Sequence, residues 1–259
     1  MAVFMDQCGR SVSLQKKPLR IVSCVPSQTE LLIDLGLAEH IVGITSFCIH
    51  PADKIKGKQN IGGTKNLRLK KIKSLKPHLI IGNKEENEKD QIECLADEFA
   101  VWLSDVKNLE DALSMINTLG EISETQANAL EIVNCIAKNY PVKNAEIRST
   151  GIYLIWKNPY MVAGSDTFIN DMMAKTGILN LIKEMRYPQI SVEEIIALKP
   201  KNILLSTEPY AFNEKDVAEW KLMLPDTHVK LVNGEAFSWY GSRLCHLATY
   251  FKEIASCMQ

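Results

Sequence analysis

KIKSLKPHLIIG at residues 71–82 and EIIALKPKNILL at residues 194–205 share one frame. Ile72, Leu75, Lys76, Pro77 and Ile80 of the first copy match Ile195, Leu198, Lys199, Pro200 and Ile203 of the second at a constant offset of 123 residues. Proline has no N–H to continue a helix and pushes the residue before it out of the α region. Each copy therefore predicts a helix that ends before its proline and a short apolar strand after it. Upstream of each copy stands a second match: an apolar run (residues 21–25 and 152–156), then Ser27-Gln28-Thr29 or Ser165-Asp166-Thr167, then a helical pattern closing at Gly36 or Gly177. The same units in the same order predict two similar α/β lobes.

Around this frame, strands at 20–24, 41–44, 79–82 and 101–104 alternate with helices at 29–35, 69–75 and 88–99. Such alternation predicts a mainly parallel sheet with helices on both faces. The second half repeats the alternation, with strands at 152–156, 203–205 and 229–232 and helices at 168–175, 193–198, 216–222 and 244–254, the last using Leu247, Phe251 and Ile254 as its core face. Ser27 with Glu30, and Ser191 with Glu194, have capping-box spacing. Between the halves, Asn108 is the expected cap of a helix reaching Gly120, and Ser123 with Gln126 opens another through Tyr140. Ala127, Leu130, Val133, Ala137 and Tyr140 recur along it at three- and four-residue spacing and form its expected apolar stripe. The expected division is a lobe over 1–120, one long rigid connecting helix over 121–147 and a lobe over 148–259; Pro141 should end or kink that helix.

The 259 residues are 46% hydrophobic and 24% charged, the proportions of an ordinary globular protein. Thirty Lys and Arg against 31 Asp and Glu give a net charge of −1, with no block of one sign that would bind a phosphate backbone, so nucleic acid is excluded as an expected partner. No apolar stretch is long enough to cross a bilayer as a helix. MAVFMDQCGRSVSL lacks the features of a secretory leader, and the seven scattered cysteines do not form a disulfide framework. Both point to a cytoplasmic monomer with free thiols, or to a periplasmic one if a leader has been removed.

No phosphate loop, GxGxxG, HExxH, CxxC or GxSxG occurs, and no two of the five histidines share a helix face. Cys48 and His50 are two residues apart on an extended loop, which makes His50 a weak metal candidate and a stronger single binding residue. FSWYGSR, residues 237–243, sets two large aromatics beside a glycine and an arginine. Trp239, Tyr240 and Arg243 fit a recognition loop, since aromatics supply rigid contact area and Arg a planar fork for carboxylates. They equally fit packing of the last helix. Trp156, Arg186 with Tyr187, and Glu208 with Tyr210 lie in other loops after strands, where parallel sheets meet their ligands.

RIVSCVPSQTELLIDLG (20–36), IGGTK (61–65), LKPHLIIG (75–82), AGSDTFI (163–169), RYPQIS (186–191) and FSWYGSR, in this order, resemble the class III substrate-binding proteins of ABC importers, in the cobalamin- and ferric-siderophore-binding group. The resemblance covers essentially the whole chain. It implies two α/β lobes joined by one helix, a ligand cleft between the lobes, no enzymatic activity and no intrinsic cofactor. The implied ligand is a metal chelate, a cobalamin-like corrinoid first, with haem or a ferric chelate behind it; the metal arrives inside its ligand. The contacts implied are His50, Trp156, Arg186, Tyr187, Glu208, Tyr210, Trp239, Tyr240 and Arg243. Docking on a permease falls to Glu193 and, where Lys89 occupies the matching position, to the adjacent Glu88. Two alternatives stand beside it: a cytoplasmic handler of metallocofactors or metabolites without a permease, and an enzyme using Arg186, Glu208 and Arg243 on an anionic substrate.

Overall fold

Both copies of the repeated helix stop at Leu-Lys-Pro in the computed structural model, which describes residues 2–15, 17–140 and 146–257. The lysine does the turning in each: Lys76 has φ 46° and Lys199 φ 47°, the left-handed region that L-residues seldom enter. The prolines behind them are buried and the lysine side chains exposed. Ile72 and Ile195 on the helices, and Ile80 and Ile203 on the strands that follow, are all 0% exposed, so the matched positions do the same work. Burying one such side chain stabilises the fold by about 1.5–3 kcal/mol.

The chain divides into two compact units: Met1–Val106 with Asp111–Ile136 and Tyr240–Arg243, and Lys107–Glu110 with Ala137–Trp239 and Leu244–Gln259. In the first unit, β1 (Ala2–Met5) and β2 (Ser11–Leu14) form an antiparallel hairpin. Asp6 closes its turn by accepting from the Arg10 amide at 2.8 Å and side chain at 2.7 Å. The unit's sheet takes β3 (Ile21–Ser23), β4 (Ile41–Ile44), β5 (Gln59–Asn60), β8 (Leu79–Asn83) and β9 (Val101–Ser104) in the order β5-β4-β3-β8-β9, every pair parallel. A small hairpin, β6 (Gly62–Gly63) and β7 (Asn66–Leu67), follows β5. Helices α1 (Pro26–Asp34), α2 (Ala52–Ile55), α3 (Leu69–Ser74) and α4 (Lys89–Ala96) lie between the strands, and α5 (Leu109–Ile122) and α6 (Gln126–Asn139) follow. All five residues of β8 are buried, as an apolar run sandwiched on both faces must be.

In the second unit β10 (Ser149–Trp156), β13 (Asn202–Ser206) and β14 (His228–Val232) run parallel, with β11 (Met161–Val162) antiparallel on the edge and β12 (Ile178–Asn180) beside the start of β10. Its helices are α7 (Phe168–Lys175), α8 (Val192–Leu198), α9 (Glu214–Met223), α10 (Gly234–Ser238) and α11 (Ala248–Cys257). The strand after the repeated helix pairs with the unit's leading strand in both cases, β8 with β3 and β13 with β10. Gly36 and Gly177 close α1 and α7 at φ +86° and +81°. At Gly36 the Gly36 amide bonds Ile33 O and the Leu37 amide bonds Leu32 O, a Schellman stop that satisfies the orphan carbonyls.

Local details depart from expectation where two signals compete. The Ser191–Glu194 capping box forms, at 3.1 and 2.7 Å. The Ser27–Glu30 box does not: Pro26 begins α1 two residues earlier than a Ser27 cap requires, Val25 takes the cap position, and Ser27 falls inside the first turn. Ser123 does not open α6 either; its hydroxyl donates back to Leu119 O at 2.6 Å and finishes α5. The expected connecting helix is shorter than 121–147, since α6 covers 126–139, and residues 142–145 of the questioned continuation lie outside the described residues. Its buried stripe is displaced too: Ala129, Ile136 and, just after the helix, Tyr140 are buried, whereas Leu130 is 56% exposed and Ala127 and Ala137 face outward. The bulkier of two overlapping apolar stripes took the core, and Gly120 admits Ala129, whose Cβ lies 2.5 Å from where a Cβ on Gly120 would sit. The last helix is broken into a 3-10 turn over Ser242–His246 and α11. No helix among the described residues is long and apolar enough to cross a membrane, and none of the seven cysteines is in a disulfide.

Candidate functional site

Parallel strands send all their carboxyl-terminal loops to one edge of a sheet, and in each unit that edge gathers the unusual side chains. In the second unit Trp156 ends β10 and is 39% exposed. Its ring meets Tyr210 edge-on at 5.8 Å, and Tyr210 meets the buried Phe212 at 4.7 Å. This tier leads from the core to an open aromatic face, anchored below and available above. Beyond it, at the ends of β13 and β14, Thr207, Glu208, Leu231, Val232, Asn233, Glu235 and Tyr250 line a cavity of about 480 Å³. Burial pushes the Tyr250 phenol above its ordinary value, although the Asn233 amide, which donates to its oxygen at 2.8 Å, pulls the other way.

Glu208 stands where the cavity meets the chain that follows α10. Its Oε1 accepts from Trp239 Nε1 and from Ser238 Oγ, both at 3.0 Å. Gly234 makes room for this, because a Cβ there would lie 2.4 Å from Glu208 Cγ. Arg186 turns at φ 64°, with Nε 3.3 Å from Asp166 Oδ2 and its own amide donating to Asp166 Oδ1. Backbone bonds from Gly164 to Arg186 O at 2.7 Å and from Ser165 to Glu184 O at 2.8 Å join AGSDTFI to RYPQIS. Two separate motifs are thus one substructure, with Tyr187 half-buried beside it.

In the first unit the loop after β4 alternates. Cys48 is buried, with Sγ 3.1 Å from Thr29 Oγ1 and 3.2 Å from Thr45 Oγ1, whereas Phe47 is 58% and Ile49 51% exposed, and His50 is half-buried. Desolvation raises the Cys48 pKa despite those two hydroxyls. No cluster of three or more metal-ligating side chains occurs among the described residues. Phe47 and Ile49 are exposed apolar side chains that the sequence pattern did not single out. Their signal was two large apolar residues flanking a cysteine just before a proline, a place where the alternation of an extended segment exposes every second side chain.

Of the two readings of FSWYGSR, burial favours packing over an open recognition loop. Phe237 is 0%, Trp239 9%, Tyr240 5% and Ser242 4% exposed. Arg243 holds Glu30 of α1 in a two-point fork, Nε to Oε2 at 2.8 Å and a terminal nitrogen to Oε1 at 3.0 Å. The fork of Arg243, expected to meet a carboxylate on a ligand, already holds Glu30 of the protein, and Trp239 donates to Glu208. Of the expected docking carboxylates, Glu193 is exposed in the first turn of α8, and Glu88, at the start of α4, lies 3.3 Å from Lys65 Nζ.

Comparison with known proteins matches residues 21–221 to the family described as periplasmic binding protein. An ABC transporter substrate-binding lipoprotein of Bacillus subtilis, YvrC, is 26% identical over 212 residues, 77% of this chain and 67% of that one. A vitamin B12-binding protein of Vibrio vulnificus is 24% identical over 224 residues, 83% of this chain and 81% of that one. Among solved structures, the periplasmic vitamin B12-binding protein BtuF of Vibrio cholerae superposes with a TM-score of 0.74 at 19% identity, covering 92% of this chain and 98% of that one. The periplasmic haem-binding protein HutB of the same organism gives 0.74 at 21% identity, with 92% and 98% covered. At such identities the structural matches establish the fold alone.

Proposed function

Because the chain belongs to the periplasmic binding protein family, we propose that it is the non-enzymatic, ligand-capturing component of an ABC importer and that its ligand is a metal chelate, a cobalamin-like corrinoid in the first place. The observation that carries the reading is the open aromatic face of Trp156 on Tyr210, at the carboxyl edge of a parallel sheet. A large, flat, mostly apolar macrocycle is the kind of ligand that such a face suits. In the second unit Trp156, Tyr187 and Tyr210 make the apolar contacts, with Arg186 and Glu208 as the polar ones. In the first, His50 acts with Phe47 and Ile49. Trp239, Tyr240 and Arg243 support these residues from within. Glu193 and Glu88 are the carboxylates offered to the permease, and capture takes place on the outer side of the membrane, as the lipoprotein and periplasmic relatives suggest.

The chelate supplies its own metal, so the protein's work is to desolvate one face of the macrocycle and orient its periphery. Calorimetry against cyanocobalamin, cobinamide, haemin and a ferric siderophore tests the reading. One ligand per chain is expected. Binding no tighter than about 1 mM to every one of them, roughly −4 kcal/mol, would remove the receptor function.

A further inference from the structure

Trp156 and Tyr210 belong to different loops, and α9 is the element that both loops share. Trp156 pairs with Met161 across the turn at 157–160, which joins β10 to β11. Both ends of that turn rest on α9. Lys157 Nζ lies 2.6 Å from Asp216 Oδ1 and 2.6 Å from Glu219 Oε2, and the Tyr160 ring stands 5.3 Å from that of Trp220, which is 0% exposed. Tyr210 and Phe212 lead into the same helix, whose cap, Asn213, donates its amide to Asp216 Oδ2 at 2.9 Å. One carboxylate therefore takes the lysine next to Trp156 on one oxygen and the helix cap that follows Tyr210 on the other. Its side chain is 5% exposed and that of Lys157 17%. At such burial desolvation offsets much of the Coulomb attraction, and what the pair fixes best is geometry.

We infer that Lys157 and Asp216 are positioning residues for the ligand face: by tying the 157–160 turn to the start of α9, they hold the Trp156 ring on Tyr210 before the chelate arrives. The inference rests on the chelate-binding reading and names what prepares its site. Trp156 is 39% exposed and meets Tyr210 by an edge at 5.8 Å, and the backbone bond between their loops, from the Tyr210 amide to Ile155 O, is 3.4 Å long. A long hydrogen bond and an edge contact constrain an exposed indole weakly, and a side chain ordered only on binding lowers affinity. The ion pair fixes the turn from which the ring projects, so less remains to be ordered when the ligand lands.

Fluorine NMR of the full chain labelled with fluorotryptophan gives a readout that needs no ligand, the Trp156 line being assigned by its absence in Trp156→Phe. Asp216→Asn keeps an oxygen for the Asn213 amide but offers Lys157 an amide N–H2, and Lys157→Met keeps the side-chain length without the charge. Thermal unfolding confirms that each variant is folded. Each should broaden the Trp156 line or move it toward its position in the unfolded chain, while the line of Trp102, in the other unit, stays where it is. Cyanocobalamin should bind each about threefold to tenfold more weakly than it binds the wild type. That loss should shrink below about twofold when Trp156→Ala is added, since no ring is left to place. An unmoved Trp156 line, a change in Asp216→Asn that Lys157→Met lacks, or an equal loss of affinity with and without Trp156 overturns the positioning role. Failure of cyanocobalamin to bind the unmodified chain counts against the corrinoid reading alone, and the fluorine line still decides whether Lys157 and Asp216 hold the ring.

Discussion

Trp239→Ala and Trp156→Ala should have opposite consequences, although both tryptophans follow strands of one sheet. Trp239 is 9% exposed and donates its Nε1–H to Glu208 at 3.0 Å. Its truncation leaves a cavity the size of an indole and costs Glu208 Oε1 a donor; a large aromatic lost from a core destabilises by about 3–5 kcal/mol. At roughly 2–4 °C per kcal/mol for a chain of this size, the melting temperature should fall by about 6–20 °C. Trp156 is 39% exposed and rests on Tyr210 by one edge. Its removal should leave stability within about 1 kcal/mol and weaken the chelate by about 1–3 kcal/mol if the ring is an anchor. Scanning calorimetry and ligand titration on both variants decide the matter. A Trp239→Ala protein that melts like the wild type but binds poorly would return FSWYGSR to the binding surface and refute its role as scaffold.

Two further expectations concern ion pairs. Glu30→Ala removes the two-point fork from the Arg243 guanidinium, which is only 18% exposed, and should cost about 1–3 kcal/mol in urea unfolding; Glu30→Gln, which retains one acceptor, should cost less, and equal losses would show that charge alone matters. For Lys157 with Asp216, at 2.6 Å, burial pushes Asp216 upward but the lysine's hydrogen bond and the Asn213 amide more than offset it, so its pKa is lowered from 3.8. A carboxylate depressed in the folded state contributes stability that is present above its unfolded pKa and lost as pH falls through the folded one. Stability measured from pH 5 down to about 2 should therefore decline less steeply in Asp216→Asn than in the wild type, and parallel acid limbs would remove Asp216 from the account.

The architecture was legible because its signals are local and repeated. Leu-Lys-Pro stops a helix through the chemistry of proline wherever it occurs, and Ile80 and Ile203 read as buried strand positions because a run of apolar residues sandwiched between helices has no solvent face. Ser191 with Glu194 worked as a cap since all its partners lie within four residues. Ser27 failed as one because Pro26, a competing local signal, began the helix first. The β1–β2 hairpin escaped notice for a different reason: its short strands are only half-buried, and the turn is held by Asp6, a single acidic residue like many others in the sequence.

The sequence by itself determined two α/β units with parallel sheets, the edge on which their loops gather, and a small set of aromatic and charged residues in those loops. Composition and spacing carry that much, because strand, helix and turn preferences are properties of neighbouring residues. Which of those side chains face outward was decided only in the tertiary structure. Trp156 and Trp239 read alike in the sequence, each beside polar residues after a strand. One stays 39% exposed, while the other turns inward to Glu208, 31 residues away. Arg243 likewise reads as a free fork until Glu30, 213 residues earlier, is found in its grip. A side chain's partner across such separations depends on how elements pack, and packing brings together residues that no pattern along the chain relates.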